Sequence, residues 1–481
     1  MENSPQFLSL KTMNQGLVRA ENAVTGVMSQ TALKIKKELA DGTGNYPFKE
    51  ITPVNIGNPQ ILGQPPLTFH RQVLSILLYP ELMKCDMFPE GVKKRAQYYL
   101  DRIAGNIGAY APAPGYPFVR ENIAKFLEKR DGVPSHADHI QMIDGSADGV
   151  IDIISAHISD HQTGIMIPIP QYPLYSGSIT YLGGTEVPYY LEEESGWQVS
   201  IQHLEEVYKE ATEKGVKVKA IVVINPGNPT GQILNEETMK EFIKFAYDRG
   251  LSLLADEVYQ DNVWTKKWTS FRKVVASMDS PYNKLPVYSI NSCSKGYYGE
   301  CGLRGGYIEF FNVDPDVEAQ IKKITTLSLS VNTIGQITMD MIARPPTEEE
   351  NGKEVTEQYY RERDEILGTM KKNAELATTI FNSMKNVKAQ PAEGAVYAFP
   401  RVELSQKAIE EAQKRGLAPD LFYTLEGLKE TGMVMVEGTG FRQKPGTYHF
   451  RTTILIRPSE KFEEKLLAYK KFNDAFHEKY A

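Results

Sequence analysis

The sequence predicts an α/β fold, a large domain with a mostly parallel sheet covered by helices, joined to a smaller α+β domain. Three observations carry this. Ala220–Pro226 (AIVVINP), Leu251–Val258 (LSLLADEV) and Leu285–Ile290 (LPVYSI) are apolar almost throughout, the pattern of strands buried on both faces of a sheet rather than on one. Segments of helical period separate them, as a parallel sheet requires. After about Ala343 the alternation stops, and a long helix, short strands and a terminal amphipathic helix follow.

Taken in order, residues 1–50 read as polar and helical, wrapping onto another part of the chain. Ile51–Pro66 (ITPVNIGNPQILGQPP) is rich in Gly and Pro and reads as extended. Ser146–Ser159 places Ala147, Val150, Ile151, Ile154 and Ile158 at helical spacing, and Gly164–Pro170 (GIMIPIP) reads as a buried strand. Asn235 stands as an N-cap before Glu236 and Glu237, with Met239, Phe242, Ile243 and Ala246 as the apolar stripe and Gly250 as the stop. Pro345, Pro346 and the following TEEENGKE read as an exposed linker. A helix over Val355–Met384 follows, then strands at Ala395–Phe399 and Tyr448–Ile456. The last helix carries Phe462, Leu466, Tyr469 and Phe476 on one face. The expected division is a large domain over 85–343 and a small domain in which 1–84 join 344–481.

The 481 residues carry 54 Lys and Arg against 61 Asp and Glu, a formal charge of −7, with 41% hydrophobic residues. These are proportions of a globular chain with a sizeable core, and the acidity argues against a nucleic-acid partner. Cys85, Cys293 and Cys301 are too few and too scattered for a disulfide framework or a zinc site, so no metal is expected and a reducing compartment is. No apolar run is long enough for a membrane span. The first residues lack a secretory h-region, and no arginine precedes Arg19. The expected address is the cytosol rather than the mitochondrion.

Four clusters sit where strands end, which is where open α/β sheets bind ligands. In Ser292–Gly306 (SCSKGYYGECGLRGG), Ser292 and Ser294 closely precede Lys295, and Arg304 follows in a glycine-rich turn. Hydroxyls and a guanidinium can hold a phosphate, and a lysine desolvated beside cations has a lowered pKa and attacks aldehydes. Asn225–Gly231 (NPGNPTG) is a stiff loop presenting the Asn228 amide. Asp256 emerges from a buried strand in LADEVYQ, three residues before Tyr259, and such a carboxylate needs a partner. Asp144–Gly149 (DGSADG) opens a helix whose first N–H groups can bind an anion. Taken singly, each has a plain alternative in a surface lysine, a turn, a helix-capping acid or an ordinary N-cap. Together they suit a cofactor with an aldehyde, a phosphate and a ring nitrogen, pyridoxal 5'-phosphate. Neither a GxxxxGK[ST] nor an early GxGxxG loop is present.

NPGNPTG, DEVYQ and SCSKGYYGECGLRGGY resemble fold-type I pyridoxal-phosphate aminotransferases. NIGNPQ, PIPQYPLYS, LADEVYQ, SKGYYGECG and GTYHFRTTIL resemble, within these, the alanine aminotransferases, from about Val54 to Pro458 and with the extra residue between Lys295 and Arg304. The resemblance implies a homodimer with shared active sites, exchanging the amino group between L-alanine and 2-oxoglutarate by a ping-pong route. It implies Lys295 as the Schiff-base lysine and Asp256 as the acid at the pyridine nitrogen. Asn228 and Tyr259 resemble donors to the phenolic oxygen, and Tyr172 the aromatic stacked on the ring. Ser292, Arg304 and the N–H groups of Ser146 and Ala147 resemble the phosphate cup, with Ser294 a lesser member and Tyr110 reaching in from the neighbouring subunit. Arg451 and the Gly57 backbone resemble the α-carboxylate site. Another fold-type I transaminase, a carbon–sulfur lyase, or a non-catalytic relative remain alternatives. Two departures stand out. Gly145-Ser146-Ala147-Asp148-Gly149 replaces the usual GASxG, so position 147 can offer only its backbone. Gly108–Gly115 reads GAYAPAPG in place of GAYSxSQG, losing two hydroxyls and an amide.

Overall fold

A computed structural model describes residues 8–20, 26–265 and 267–481. Eight strands among the described residues form the main sheet: β1 (Ile140–Ile143), β2 (Thr163–Ile169), β3 (Thr185–Glu192), β4 (Gln198–Val199), β5 (Lys217–Ile224), β6 (Ser252–Asp256), β7 (Val287–Ser292) and β8 (Gly306–Phe311). Their spatial order is β1-β8-β7-β6-β5-β2-β3-β4. The inner neighbours β7, β6, β5, β2 and β3 are parallel, whereas β8, β1 and β4 pair antiparallel with their neighbours. The antiparallel strands were not legible in the sequence: β1 and β4 are short edge strands without a long apolar run, and β8, between β1 and β7, carries Glu309 inside its apolar stretch.

Both faces are covered, as the apolar strands require. Ile221, Val223, Leu253 and Ala255 pack on one side with Met239, Phe242 and Phe271. Ala220, Val222, Ile224 and Leu254 pack on the other with Val150, Ile154, Tyr175 and Ile179. Full burial of each such large side chain contributes about 1.5–3 kcal/mol. Asn235 caps the Glu236–Asp248 helix, its Oδ1 accepting from Thr238 N at 2.8 Å. The first helix of the sheet runs Ser146–His157 and buries Val150, Ile153 and Ile154, so Ile153 rather than Ile151 completes the stripe. Register places Ile224, Asp256 and Ile290 side by side on β5, β6 and β7, so the loops after these strands open at one place.

The rest of the chain is built on the helices Lys353–Asn382 and Ser459–Lys479 and a three-stranded sheet of Tyr397–Ala398, Phe450–Thr453 and Val436–Glu437. The early segment packs here. Met28, Ala32 and Ile35 meet Leu425, Leu428 and Val434, Thr52 N donates to Gly432 O at 2.8 Å, and Thr453 N to Val54 O at 3.0 Å. Of residues 1–50, helices cover Gln15–Arg19 and Val27–Ala40; residues 1–7 and 21–25 lie outside the described residues. Ile51–Pro66 is extended except for one 3-10 turn at Gln60–Leu62.

Two expectations change. The stretch expected as a linker holds a one-turn helix, Glu348–Asn351, pinned by buried Asn351. Its Nδ2 donates to Gly91 O at 2.8 Å, and its Oδ1 accepts from Arg95 Nη2 at 3.1 Å. A Cβ at Gly91 would overlap the Asn351 carbonyl. The strand expected over Tyr448–Ile456 spans only Phe450–Thr453, because the Asn373 amide takes the carbonyls of Ile454 and Ile456, both at 2.8 Å, out of the ladder.

Candidate active site

A cavity of about 340 Å3 lies at the strand ends and is lined by Gly57, Ser146, Ala147, Tyr172, Asn228, Asp256, Tyr259, Ser294, Lys295, Arg304 and Arg451. Residues separated by up to hundreds of positions thus share one space. Two expected members stand apart from it. Ser292, the last residue of β7, is fully buried behind Ser294, with its Oγ 3.4 Å from Ser294 N. Tyr110 is 79% exposed, on the loop before Gly115.

At one end, the Ser146–His157 helix starts without a side-chain cap, which leaves its first N–H groups and dipole to an anion. Arg304 leans over this end, held by the Asp144 carbonyl (Nη2, 2.9 Å) and the Cys301 carbonyl (Nη1, 3.2 Å). Gly145, at φ 93°, has to be glycine, since a Cβ there would overlap the Arg304 guanidinium.

At the base, buried Asp256 ends β6. Tyr175 Oη donates to its Oδ2 at 2.7 Å, and Oδ1 has only a long contact from Val258 N at 3.4 Å. Burial raises its pKa, against the opposing pull of the Tyr175 bond, the Val258 N–H and Lys295, so a cationic partner at Oδ1 would restore the ordinary carboxylate. Tyr172 sits just ahead of the Leu174–Tyr181 helix that carries Tyr175, and lines the cavity. Asn228 Nδ2 lies 3.4 Å from Tyr259 Oη.

Lys295 Nζ donates to Gly57 O at 2.7 Å. Its pKa was expected to be lowered; in the structure it is raised. Burial pushes it down, but Tyr397, Cys301 and Tyr172 around it outweigh burial and the opposing Arg451. Opposite it, buried Arg451 donates from Nη1 to Asn228 Oδ1 at 3.0 Å and from Nη2 to Asn55 O, while its Nε has no partner. Its guanidinium lies 4.2 Å from the Tyr397 ring centroid and 4.4 Å from that of Phe441. Arg457, the other arginine of that stretch, bonds Thr369 Oγ1 at 3.1 Å and lines a separate cavity.

Tyr397 and Tyr175 were not singled out from the sequence. Tyr397 pairs with Thr453 across from the Arg451 strand. Its phenol is pulled below its usual value because Lys295 and Arg451 outweigh the effect of burial, and a Cβ at Gly57 would overlap its hydroxyl. A signal was present in AVYAF, a lone hydroxyl in an otherwise apolar strand. Among the described residues no cluster of metal-ligating groups occurs, and no helix is long and apolar enough to cross a membrane.

An uncapped helix N-terminus with an arginine, an acid facing outward from the base, and a lysine between them fit the phosphate, ring nitrogen and aldehyde of pyridoxal phosphate. The comparisons agree with this geometry. The family model for aminotransferase class I and II matches residues 79–462. The chain is 44% identical over 480 residues to a mitochondrial alanine aminotransferase 1 of Arabidopsis thaliana, covering 98% of this chain and 87% of that one. It is 41% identical over 485 residues to glutamate–glyoxylate aminotransferase 2 of the same plant, covering 99% and 98%. A solved structure of an alanine aminotransferase from Pyrococcus furiosus superposes with a TM-score of 0.74 at 22% identity, over 96% of this chain and 100% of that one. By its sequence, its sheet and the residues gathered at the ends of that sheet, the chain belongs to the class I and II aminotransferases.

Proposed function

We propose that this aminotransferase exchanges the amino group between L-alanine and 2-oxoglutarate, giving pyruvate and L-glutamate, with pyridoxal 5'-phosphate as its cofactor. The observation that carries the reading is one buried guanidinium, Arg451, in the same cavity as Lys295. Alanine and glutamate share the α-carboxylate, so one planar fork serves both half-reactions of a ping-pong exchange.

When bound, pyridoxal phosphate supplies an aldehyde for the amino group and a ring that spreads the electrons left at the substrate Cα. The chain's residues do the rest. Arg304, Ser294 and the N–H groups of Ser146 and Ala147 would hold the phosphate, while Ser292, buried behind Ser294, backs that wall. Asp256 holds a proton at the ring nitrogen, and Tyr175 aims its carboxylate. Asn228 and Tyr259 donate to the phenolic oxygen, and Tyr172 covers the ring face. Lys295 Nζ, aimed by Gly57 O, moves the proton at the substrate Cα. Arg451 and the Gly57 N–H bind the α-carboxylate.

The test is the purified holoenzyme with a panel of amino donors against 2-oxoglutarate, pyruvate, oxaloacetate and glyoxylate. Alanine with 2-oxoglutarate should give the largest kcat/KM. The relative named glutamate–glyoxylate aminotransferase, at 41% identity, supports glyoxylate as a second acceptor. Sulfide release without amino transfer would turn the reading to a carbon–sulfur lyase, and no turnover with any pair would overturn it.

The same reading includes a homodimer in which exposed Tyr110 enters the partner's phosphate site. It keeps 85–343 as the part bearing Lys295, and 1–84 with 344–481 as the part bearing Arg451. Three free cysteines support a reducing compartment, the cytosol, which subcellular fractionation tests.

A further inference from the structure

His449 stands two residues before Arg451 and is 2% exposed. Both of its ring nitrogens face oxygen. Nδ1 lies 2.8 Å from Gln443 Oε1, and Nε2 lies 3.1 Å from Glu193 Oε2. The Gln443 amide is oriented by its other end, since Nε2 donates to Asp420 Oδ2 at 2.8 Å. Carbonyl and carboxylate oxygens only accept. Each ring nitrogen therefore faces an acceptor, and the ring bridges Gln443 and Glu193. It lies flat on Phe399, at 4.8 Å and 2°, and 5.7 Å from Trp197.

The two partners belong to different parts of the molecule. Glu193 opens the turn that follows β3 of the main sheet. Gln443 follows the Gly438–Phe441 turn beside the strand that carries Arg451. A cavity of about 770 Å3 separates the two parts and is bordered by Glu193, Gln443 and His449. On the far side, Gly438 N donates to His449 O at 2.7 Å, and Phe441 of that turn contacts the Arg451 guanidinium. Other charged or titratable groups border the same cavity: Glu192, Glu194, His203, Glu206, Arg401 and Lys444. Arg401 Nη1 lies 3.8 Å from Glu193 Oε2 and 4.0 Å from Glu194 Oε1. Lys444 borders the cavity, Asp420 acts through Gln443, and Glu437 stands opposite Phe450 on the neighbouring strand.

We propose that His449 is a positioning residue for Arg451, a clamp that ties the Arg451 strand to Glu193 of the main sheet. This rests on reading Arg451 as the α-carboxylate site. While the ring bridges Gln443 and Glu193, Phe441 and Arg451 are held in register. Without the bridge, the Arg451 strand loses its tie to the main sheet and carboxylate binding weakens, while the chemistry at Lys295, which His449 does not touch, continues.

The experiment compares wild-type holoenzyme with His449→Gln and Glu193→Gln at one pH. One readout is KM and kcat for whichever amino donor turns over. The other, which needs no substrate, is hydrogen exchange of the amides of 436–453. Both variants should raise KM roughly tenfold, the loss of one hydrogen bond to a charged group, with kcat nearly constant and protection of 436–453 falling. Wild-type KM and protection in both variants would overturn the proposal. So would an equal fall in kcat and cofactor content with KM unchanged, the mark of a merely structural role. If no donor turns over, the function reading fails, while exchange still decides the clamp. If His449→Gln does not fold, Glu193→Gln, altered on the opposite side of the bond, decides it.

Discussion

Arg451 owes its place to an Asn228 oxygen, the Asn55 carbonyl and the rings of Tyr397 and Phe441. A guanidinium held in this way matches a carboxylate with two parallel bonds, and an ammonium does not. Arg451→Lys should therefore cost about 2–3 kcal/mol, or roughly 30- to 150-fold in kcat/KM. The cost should fall on the alanine and glutamate half-reactions alike, and single-turnover kinetics of each half-reaction measures it. Loss with glutamate alone, or a larger loss from Arg457→Lys, would move the carboxylate site away from Arg451. Lys295 is the other decisive residue. Lys295→Ala should retain the cofactor without the absorbance of its lysine-bound form and lose nearly all turnover; a near-wild-type rate would exclude Lys295 from the proton step. Ser292 shows what a motif leaves open. The sequence places two hydroxyls just before Lys295, and only the chain's turn after β7 puts Ser294 on the cavity wall with Ser292 behind it.

At the scale of elements, β6 delivers two acids to different places. Alternation sends Asp256 to the cavity and Glu257 into the core, where Glu257 accepts from Phe271 N at 2.8 Å and from Ser289 Oγ at 2.7 Å. Burial, against the opposing pull of Arg130, pushes the Glu257 carboxyl from 4.5 up to about 7. Its folded value lies above its unfolded one, so the native chain keeps the proton across that window. This contribution to stability is full at low pH and is lost as pH rises from about 4.5 to about 7. Glu257→Gln should flatten the decline of Tm over that window, as a thermal melt series reads; an unchanged decline would assign it to other groups. The strand ends themselves were legible, because buried parallel strands show unbroken apolar runs. The linker was misjudged because its four glutamates are exposed and charged, while the residue that anchors it is a single asparagine. Its two bonds go to Gly91 and Arg95, about 260 residues away in sequence, and no local pattern records such a partner.

For the whole molecule, the cavity is assembled from a main sheet and a second part that share one apolar cluster, and in the proposed dimer it is completed by a neighbour's Tyr110. Mixing Lys295→Ala with Tyr110→Phe chains should give heterodimers with one sound site each, so activity should reappear in proportion to the heterodimer fraction resolved by native separation. Verified heterodimers without recovery would make each site the property of one chain. The sequence by itself determined the fold class, the lysine, acid and arginines that line one cavity, and the strand ends that carry most of them, because apolar periodicity and dense motifs are local properties of the chain. Tertiary structure alone decided that Tyr175 holds Asp256, that Tyr397 lies beneath Arg451 and raises the Lys295 pKa, and that His449 bridges to Glu193. Each of these rests on groups 81, 54, 102 or 256 positions apart, brought together by sheet register and packing, and a partner chosen by packing leaves no mark in the residues beside it.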